Sequence, residues 1–359
     1  MACIKRIISV ILAFILSLSL FSCGIFASAA DPVKAHLIDE SEREAEPVRR
    51  INSLPLVAFT TRVGEPLEKR LDELFLIVVG GQQPDFSDIK ENDKVKAVYD
   101  SAIEVLNRYI KNDFTEFEKV HALHDYLTSQ IKYDAELYLR YLSGSEVNGS
   151  NPAFLLSGVF LNKIAVCEGF VKAFMFLCAI EGIYTQEIRG TYNYGGQSIL
   201  HVWVKVRIDN KWYNIDPTMD SITFYPDSGD PITVVHHGYF LLSDATLLEF
   251  GNHVPSDEGF AANEDYPYHE NETLFDSDMT MQVNSQDELN AVFRKISKSK
   301  RKIGQVELRL NISVAKHPEA IKKAYDKVLN KDFSYIPSNG DYTPFVRYPR
   351  GVYVFLIYK

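Results

Sequence analysis

The segment 201–216 leaves the chain few ways to fold. Residues 201–208 alternate strictly, with Val202, Val204, Val206 and Ile208 on one side and His201, Trp203, Lys205 and Arg207 on the other, which is the period of a strand. Asp209-Asn210 follows, a pair suited to a two-residue hairpin turn because both residues tolerate the left-handed backbone. Closure there pairs Ile208 with Lys211 and, counting back, Trp203 with Asp216. His201 and Asp216 then share a face as diagonal neighbours, within side-chain reach. A three-residue loop would turn Asp216 to the far side, because a slip of one residue flips every side chain. Turn chemistry and strand period alone thus predict a His–Asp pair.

Upstream, residues 148–152 are polar and turn-rich, and helical periodicity runs from 167 to 182. Cys167 therefore falls at a helix start, where unpaired backbone N–H groups and the positive end of the helix dipole favour a thiolate and can receive a developing oxyanion. Cys167, His201 and Asp216 make a candidate catalytic set: a thiol nucleophile, its base, and a group that orients the base. Each has a plainer role when taken singly. A Cys at a helix start packs, a His at the polar end of a strand is solvated, and Asp-Pro marks a turn. Their order, the helix start and the shared strand face are what join them.

The remaining cysteines do not compete for that role. Of four in the chain, Cys3 and Cys23 lie at the N-terminus, leaving Cys167 and Cys178 in the body. On one helix those two stand about 16 Å apart in rise, too far for a disulfide. Cys178 sits within Phe174-Met175-Phe176-Leu177-Cys178-Ala179-Ile180 and reads as a small buried hydrophobe. There is no CxxC pair and no His cluster with ligand spacing, and the doublet His236-His237 suits a turn or core, so neither metal nor cofactor is expected.

A formal net charge of -10 argues against nucleic acid as a partner, since neutralising phosphates needs a basic face. The basic run 294–302 reads as a solvated helix end. At the N-terminus, Lys5 and Arg6 precede an apolar run over 7–20 and then small residues, the pattern of a signal peptide (1–29) rather than a spanning helix. Two processing sites compete. Ala27-Ser28-Ala29 suits ordinary cleavage, whereas Leu20-Phe21-Ser22-Cys23 resembles a bacterial lipobox with a bulky Phe21, in which case a lipidated Cys23 would attach the protein to a membrane. Either route makes the protein secreted or exposed at the cell surface.

The rest divides by pattern. Residues 30–53 are charged and aperiodic, a tether. An N-terminal region over 54–94 holds Leu67, Leu71, Leu74 and Phe75 at helical spacing, turning strand-like over 74–79 before Gly80-Gly81. Within 95–254 a first amphipathic helix is expected over 95–110. A second opens on a capping box, Thr115 to Glu118, and carries Phe117, Val120, Leu123, Leu127 and Ile131 on one face. A strand follows at 187–192. After an acidic linker at 255–275, residues 276–359 read as strands at 280–283, 306–312 and 351–358 with helices at 285–297 and 318–329. That is a small α+β domain with no catalytic constellation of its own.

Three phrases together resemble a family: Ala165-Val166-Cys167-Glu168-Gly169-Phe170, His201-Val202-Trp203-Val204-Lys205-Val206 and Lys211-Trp212-Tyr213-Asn214-Ile215-Asp216-Pro217-Thr218. They are similar to the transglutaminase-like branch of the papain-like cysteine enzymes. Tyr239-Phe240-Leu241-Leu242-Ser243-Asp244 resembles the segment after the Asp in bacterial members, and His124-Asp125-Tyr126-Leu127 with Tyr133-Asp134 their leading helix. The resemblance covers about residues 95–250. It implies an α+β fold, with a nucleophile helix packed on an antiparallel sheet, a helical part before it and the small α+β domain after it.

The same resemblance implies an acyl-thioester on Cys167, with His201 passing the proton to the departing amine and Asp216 orienting the ring, and a protein or peptide as substrate. Water as acceptor gives peptidase or amidase activity, and an amine gives cross-linking; hydrolysis is preferred because secreted bacterial relatives often look hydrolytic. The second oxyanion donor is open between Tyr133 and Trp203, both of which suit plain packing as well. No calcium-loop spacing accompanies the match, unlike animal transglutaminases, and the CxxC pairs usual in peptide N-glycanases are missing. A non-catalytic binding module or a surface scaffold on the same fold is the alternative, against which the intact Cys, His and Asp count. Oligomeric state is not legible.

Overall fold

The computed structural model describes residues 55–59, 64–145, 147–194, 196–224, 232–235, 237–249, 252–257, 259–267, 280–297, 304–310, 333–335, 345–348 and 351–358. The leader and tether expected over 1–53, with Cys3 and Cys23, and the helix expected over 318–329 lie outside them. The described residues form two compact units, one from within 34–221 and 239–265, the other from within 222–238 and 266–359.

In the first unit, β1 (Leu56–Ala58) pairs in parallel with β2 (Gln83–Asp85) around α1 (Leu67–Val79). The strand-like turn expected over 74–79 is instead the second half of that helix. Its β-branched and leucine content suits a strand, but Leu71, Leu74 and Val78 keep helical spacing and are buried together, and that periodicity wins. Next, α2 (Lys94–Tyr109) starts from Asp93, whose carboxylate accepts from Val95 N at 2.9 Å and holds the buried Arg70 guanidinium at 2.9 Å. The following helix, α3 (Glu116–Gln130), has the expected capping box, with both reciprocal bonds between Thr115 and Glu118 present. Its buried set goes beyond the expected stripe to include His121, His124, Asp125 and Thr128, so this helix is enclosed rather than amphipathic.

A short parallel pair, β3 (Lys132–Tyr133) with β4 (Ile164–Ala165), brackets α4 (Ala135–Leu142), which Asp134 caps by accepting from Leu137 N. Then comes α5 (Cys167–Ile180), almost wholly buried. Its first turn lies so close to the 3-10 turn Pro152–Phe154 that a Cβ at Gly169 would stand 2.4 Å from the Ala153 carbonyl oxygen. Glycine there is what lets the helix start sit in its seat.

The helix packs against β5 (Thr185–Tyr194) and β6 (Gln197–Ile208), followed by β7 (Lys211–Ile215). Asp209 and Asn210 take φ 50° and 64°, a two-residue turn with both residues left-handed, and the register runs from Ile208↔Lys211 to Val204↔Ile215. This is the expected parity. The chain continues through β8 (Ser221–Phe224) and β9 (Ile232–Val235), which pair with each other, then α6 (Asp244–Glu249) and β10 (His253–Pro255). The sheet of the first unit has the order β10-β5-β6-β7 and is antiparallel throughout.

One expectation fails on β6. A His at this strand end reads as solvated and its face as lying away from the apolar one, yet on that face Trp203 is 1% and Lys205 2% exposed. Residues from 239–265 cover it: the Lys205 ammonium reaches Asp244 at 2.8 Å and the Phe260 carbonyl at 2.7 Å, and the Trp203 ring meets His253 at 5.0 Å. A lysine and an indole N–H are tolerated there because each is paired.

In the second unit, β11 (Thr280–Val283), α7 (Gln286–Ser297) and β12 (Gly304–Leu310) make a parallel βαβ step, and β15 (Gly351–Tyr358) runs antiparallel to β12. Two strands not anticipated, β13 (Phe333–Tyr335) and β14 (Phe345–Tyr348), also pair with β15. No helix among the described residues is long and apolar enough to cross a membrane.

Candidate active site

The hairpin, the helix start and one edge strand converge on a small group of buried polar side chains. Cys167 is the first residue of α5, a free and partly exposed thiol, and its N-cap Val166 supplies no side-chain acceptor to the N-terminal amides. Those amides remain available to an incoming oxygen. Cys178, three turns on, is fully buried, and burial followed by the nearby Glu181 pushes its thiol well up, which leaves Cys167 as the candidate nucleophile.

His201 reaches in from β6 with its side chain only 7% exposed. Its Nε2 lies 2.6 Å from Asp216 Oδ2, and Cys167 is the next side chain whose electrostatics act on the ring. The imidazole is therefore anchored on the carboxylate, with Cys167 as its neighbour. Burial by itself would lower its basicity, but Asp216 and then Cys167 outweigh that and raise it to about 10, so the ring is an imidazolium at neutral pH. The strand-end histidine is an enclosed side chain tied to Asp216 rather than a solvated one.

Asp216 follows directly after β7, and all its carboxylate lone pairs are used. Oδ1 accepts from the backbone N–H groups of Thr218 and Met219, both at 3.1 Å, which is the tight turn that Asp-Pro suggests. Oδ2 accepts from His201 and from His253, the latter at 2.8 Å. Burial would raise this carboxyl, yet the His201 charge and the two imidazole bonds hold it well below the usual carboxylate range. Its own backbone N–H donates to the Tyr239 carbonyl, and its carbonyl accepts from Asp220 N. Asp220 in turn accepts from Tyr239 N and His124 Nε2, a ring whose Nδ1 faces Asp125. The phrase around His124 thus braces the turn that carries Asp216.

The two candidate oxyanion donors separate. Trp203 has its indole N–H committed to Asn214 Oδ1 at 3.2 Å in a fully buried position, so it is a hairpin-packing residue. Tyr133 pairs with Ala165 across β3 and β4, two residues before the thiol, and its ring meets Tyr138 edge-on at 6.2 Å. Burial, and next the neighbouring Cys167, push both phenols up, so each hydroxyl keeps its proton. Tyr133 therefore remains a donor candidate.

His253 is the member that sequence reasoning missed. It sits on the edge strand β10, opposite Tyr192 of β5, and no motif precedes it. His201, Asp216 and His253 offer atoms close enough together to gather on a cation, but both imidazole Nε2 atoms are spent on the carboxylate, a hydrogen-bonded rather than a ligating arrangement.

Residues 103–217 match the family model of the transglutaminase-like superfamily, a span that includes Cys167, His201 and Asp216. No curated protein matches the chain. Among solved structures, a TGase is similar over 40% of this chain and 37% of its own, at 18% identity and a TM-score of 0.30. The periplasmic domain of TgpA from Pseudomonas aeruginosa aligns over 36% of this chain and 44% of its own, at 15% identity and TM-score 0.25. An arylamine N-acetyltransferase from Bacillus cereus aligns over 33% and 48%, at 13% identity and TM-score 0.25. The alignments span less than half the length of each of these structures.

Proposed function

We propose, from the match of residues 103–217 to the family model of the transglutaminase-like superfamily, that the protein is an exported cysteine-dependent acyl-transfer enzyme acting on carboxamide or peptide bonds of proteins or peptides. The observation that carries this is the His201 ring, held at Nε2 by Asp216 at 2.6 Å and close enough to Cys167, the first residue of α5, to feel its electrostatics. Nucleophilic thiol chemistry needs an imidazole, itself oriented by a third group, beside the thiol.

In this scheme Cys167 Sγ attacks the carbonyl carbon, and the oxyanion gathers on the free N–H groups at the start of α5, with the Tyr133 hydroxyl as a second donor. Collapse breaks the C–N bond as the His201 imidazolium gives its proton to the departing amine. A thioester remains on Cys167 and His201 is left neutral. Water then attacks, His201 takes its proton, and the carboxylic acid leaves with the thiolate and imidazolium restored. A primary amine in place of water gives an isopeptide product by the same steps, and water is the acceptor we favour. Asp216 does not itself transfer a proton; four hydrogen bonds hold it as a carboxylate. Export rests on the sequence pattern at 1–29, with Cys23 as the lipid site if the lipobox is used, and residues 276–359 would bind a surface or substrate or pack on the core.

The test is to incubate the mature protein and its Cys167→Ala variant with glutamine-containing peptides, with and without a primary amine, and to follow product masses. Cys167-dependent conversion of amide to acid, or backbone cleavage, supports hydrolysis, and amine incorporation supports transamidation. The absence of any Cys167-dependent product across a broad peptide panel would favour a binding module.

A further inference from the structure

His253 is buried at 1% exposure, yet it belongs to no phrase of the family resemblance, and it donates to the same carboxylate oxygen as His201. Its position is built rather than incidental. β10 is held to β5 by Asn193 N to the Asn252 carbonyl at 2.6 Å and by Ser256 N to the Arg189 carbonyl at 2.8 Å. The approach is close because Gly190 faces it: a Cβ there would stand 2.2 Å from the Val254 carbonyl oxygen. Three aromatic rings then enclose the imidazole, with Trp203 at 5.0 Å and Tyr192 and Tyr239 at 5.1 Å.

The charge state follows from the partners. Nδ1 of His253 is buried with no hydrogen-bond partner among the described residues, so a proton placed on it would be an unsatisfied charged donor. The titratable groups facing the ring are Asp216 at the end of β7, His201 on β6, Tyr192 on β5, Tyr239, and more distantly Asp220. Burial, reinforced by the His201 charge, prevails over the attraction of Asp216 and lowers its basicity, while that of His201 is raised. One carboxylate thus binds one imidazolium and one neutral imidazole.

We propose that His253 is a positioning residue for the acyl-transfer site: its neutral Nε2–H shares Asp216 Oδ2 with His201, fixing the carboxylate and drawing part of its charge away from the His201 imidazolium. Without that second donor, the whole carboxylate charge would hold the proton on His201. The ring would become a poorer acid toward the departing amine. The consequence for turnover rests on the acyl-transfer reading, whereas the coupling between the two imidazoles does not.

The experiment therefore follows both. The His201 imidazole is titrated by NMR in the wild type, in His253→Phe, which keeps a planar ring for the aromatic box but has no donor, and in His253→Gln, whose Nε2 can restore it. Turnover of a peptide amide is measured in parallel. We expect the His201 midpoint to rise by about half a unit in His253→Phe and to return in His253→Gln. We also expect kcat to fall about tenfold with KM unchanged in the first variant, with recovery in the second. A His201 midpoint that stays in place in a folded His253→Phe overturns the inference, as does loss of activity in both variants without any shift, the mark of a packing role. A midpoint that shifts while kcat is unchanged overturns the catalytic consequence. If the wild type shows no Cys167-dependent turnover, the acyl-transfer reading fails on its own, and the titration still decides the coupling.

Discussion

His201 Nε2 stands 2.6 Å from Asp216 Oδ2, although His201 lies on β6 and Asp216 directly follows β7, two strands joined through Asp209 and Asn210. The pairing exists because a two-residue turn sets the parity of the hairpin and leaves both side chains on one face. Asp216→Asn keeps the shape but offers an amide N–H where an acceptor is needed, so one imidazole must turn or lose its bond. We expect turnover to fall by about 10³–10⁴-fold, as for amide replacement of a triad carboxylate, with far-ultraviolet circular dichroism unchanged.

The two body cysteines differ in burial, and this can be read without a substrate. Iodoacetamide at neutral pH is expected to label Cys167 in the folded protein and leave Cys178 untouched, as peptide mapping by mass spectrometry would show. Labelling should slow at least tenfold in His201→Ala, where the neighbouring base is gone.

Activity should depend on pH in a direction set by His201. Its imidazolium persists above the ordinary value of 6.5 and is lost as the pH rises through about 10, so kcat/KM should hold across neutrality and fall on the alkaline side near there. Stability has the same sign at that end. The contribution of the raised His201 is fully present below its ordinary value and disappears as the pH climbs through about 10. Asp216, lowered from 3.8, contributes above that value and loses its contribution as the pH falls further, which denaturant titrations at several pH values would reveal.

Two backbone features give predictions about stability. Gly190→Ala places a methyl against the Val254 carbonyl, and we expect a loss of about 1–3 kcal/mol by chemical denaturation, together with displacement of the His253 resonances. Thr115→Ala removes one half of the capping box of α3 and should cost about 1 kcal/mol in the same measurement while leaving activity unchanged.

How much of this was legible in the sequence depends on how local the physics is. The Asp209-Asn210 turn, the β6 period, the Thr115 cap and the helix start at Cys167 are each decided within a few residues, and the structure agrees with all four. The enclosure of His201, Trp203 and Lys205 was not legible, because the cover comes from residues 239–265, far along the chain. Nor was His253, whose placement depends on β10 joining the free edge of β5. Gly190 inside a strand pattern was the one local hint of a close backbone approach there. The helix over 74–79 is obscured for the opposite reason, since its strand-like composition runs against the helical spacing of its buried positions.

Thioester formation on Cys167 tests the acyl-transfer account most directly. Glutamine-containing peptides are mixed briefly with the mature protein, the reaction is quenched in acid, and the intact protein and its Cys167 peptide are weighed. The account predicts an adduct equal to the peptide less ammonia, or to the acyl half of a cleaved peptide, on Cys167 and on no other residue. It should be absent from Cys167→Ala and, in His201→Ala, should form far more slowly. Substrate turnover that survives Cys167→Ala, or a wild type that never carries an acyl group on this sulfur across a broad peptide panel, would contradict it.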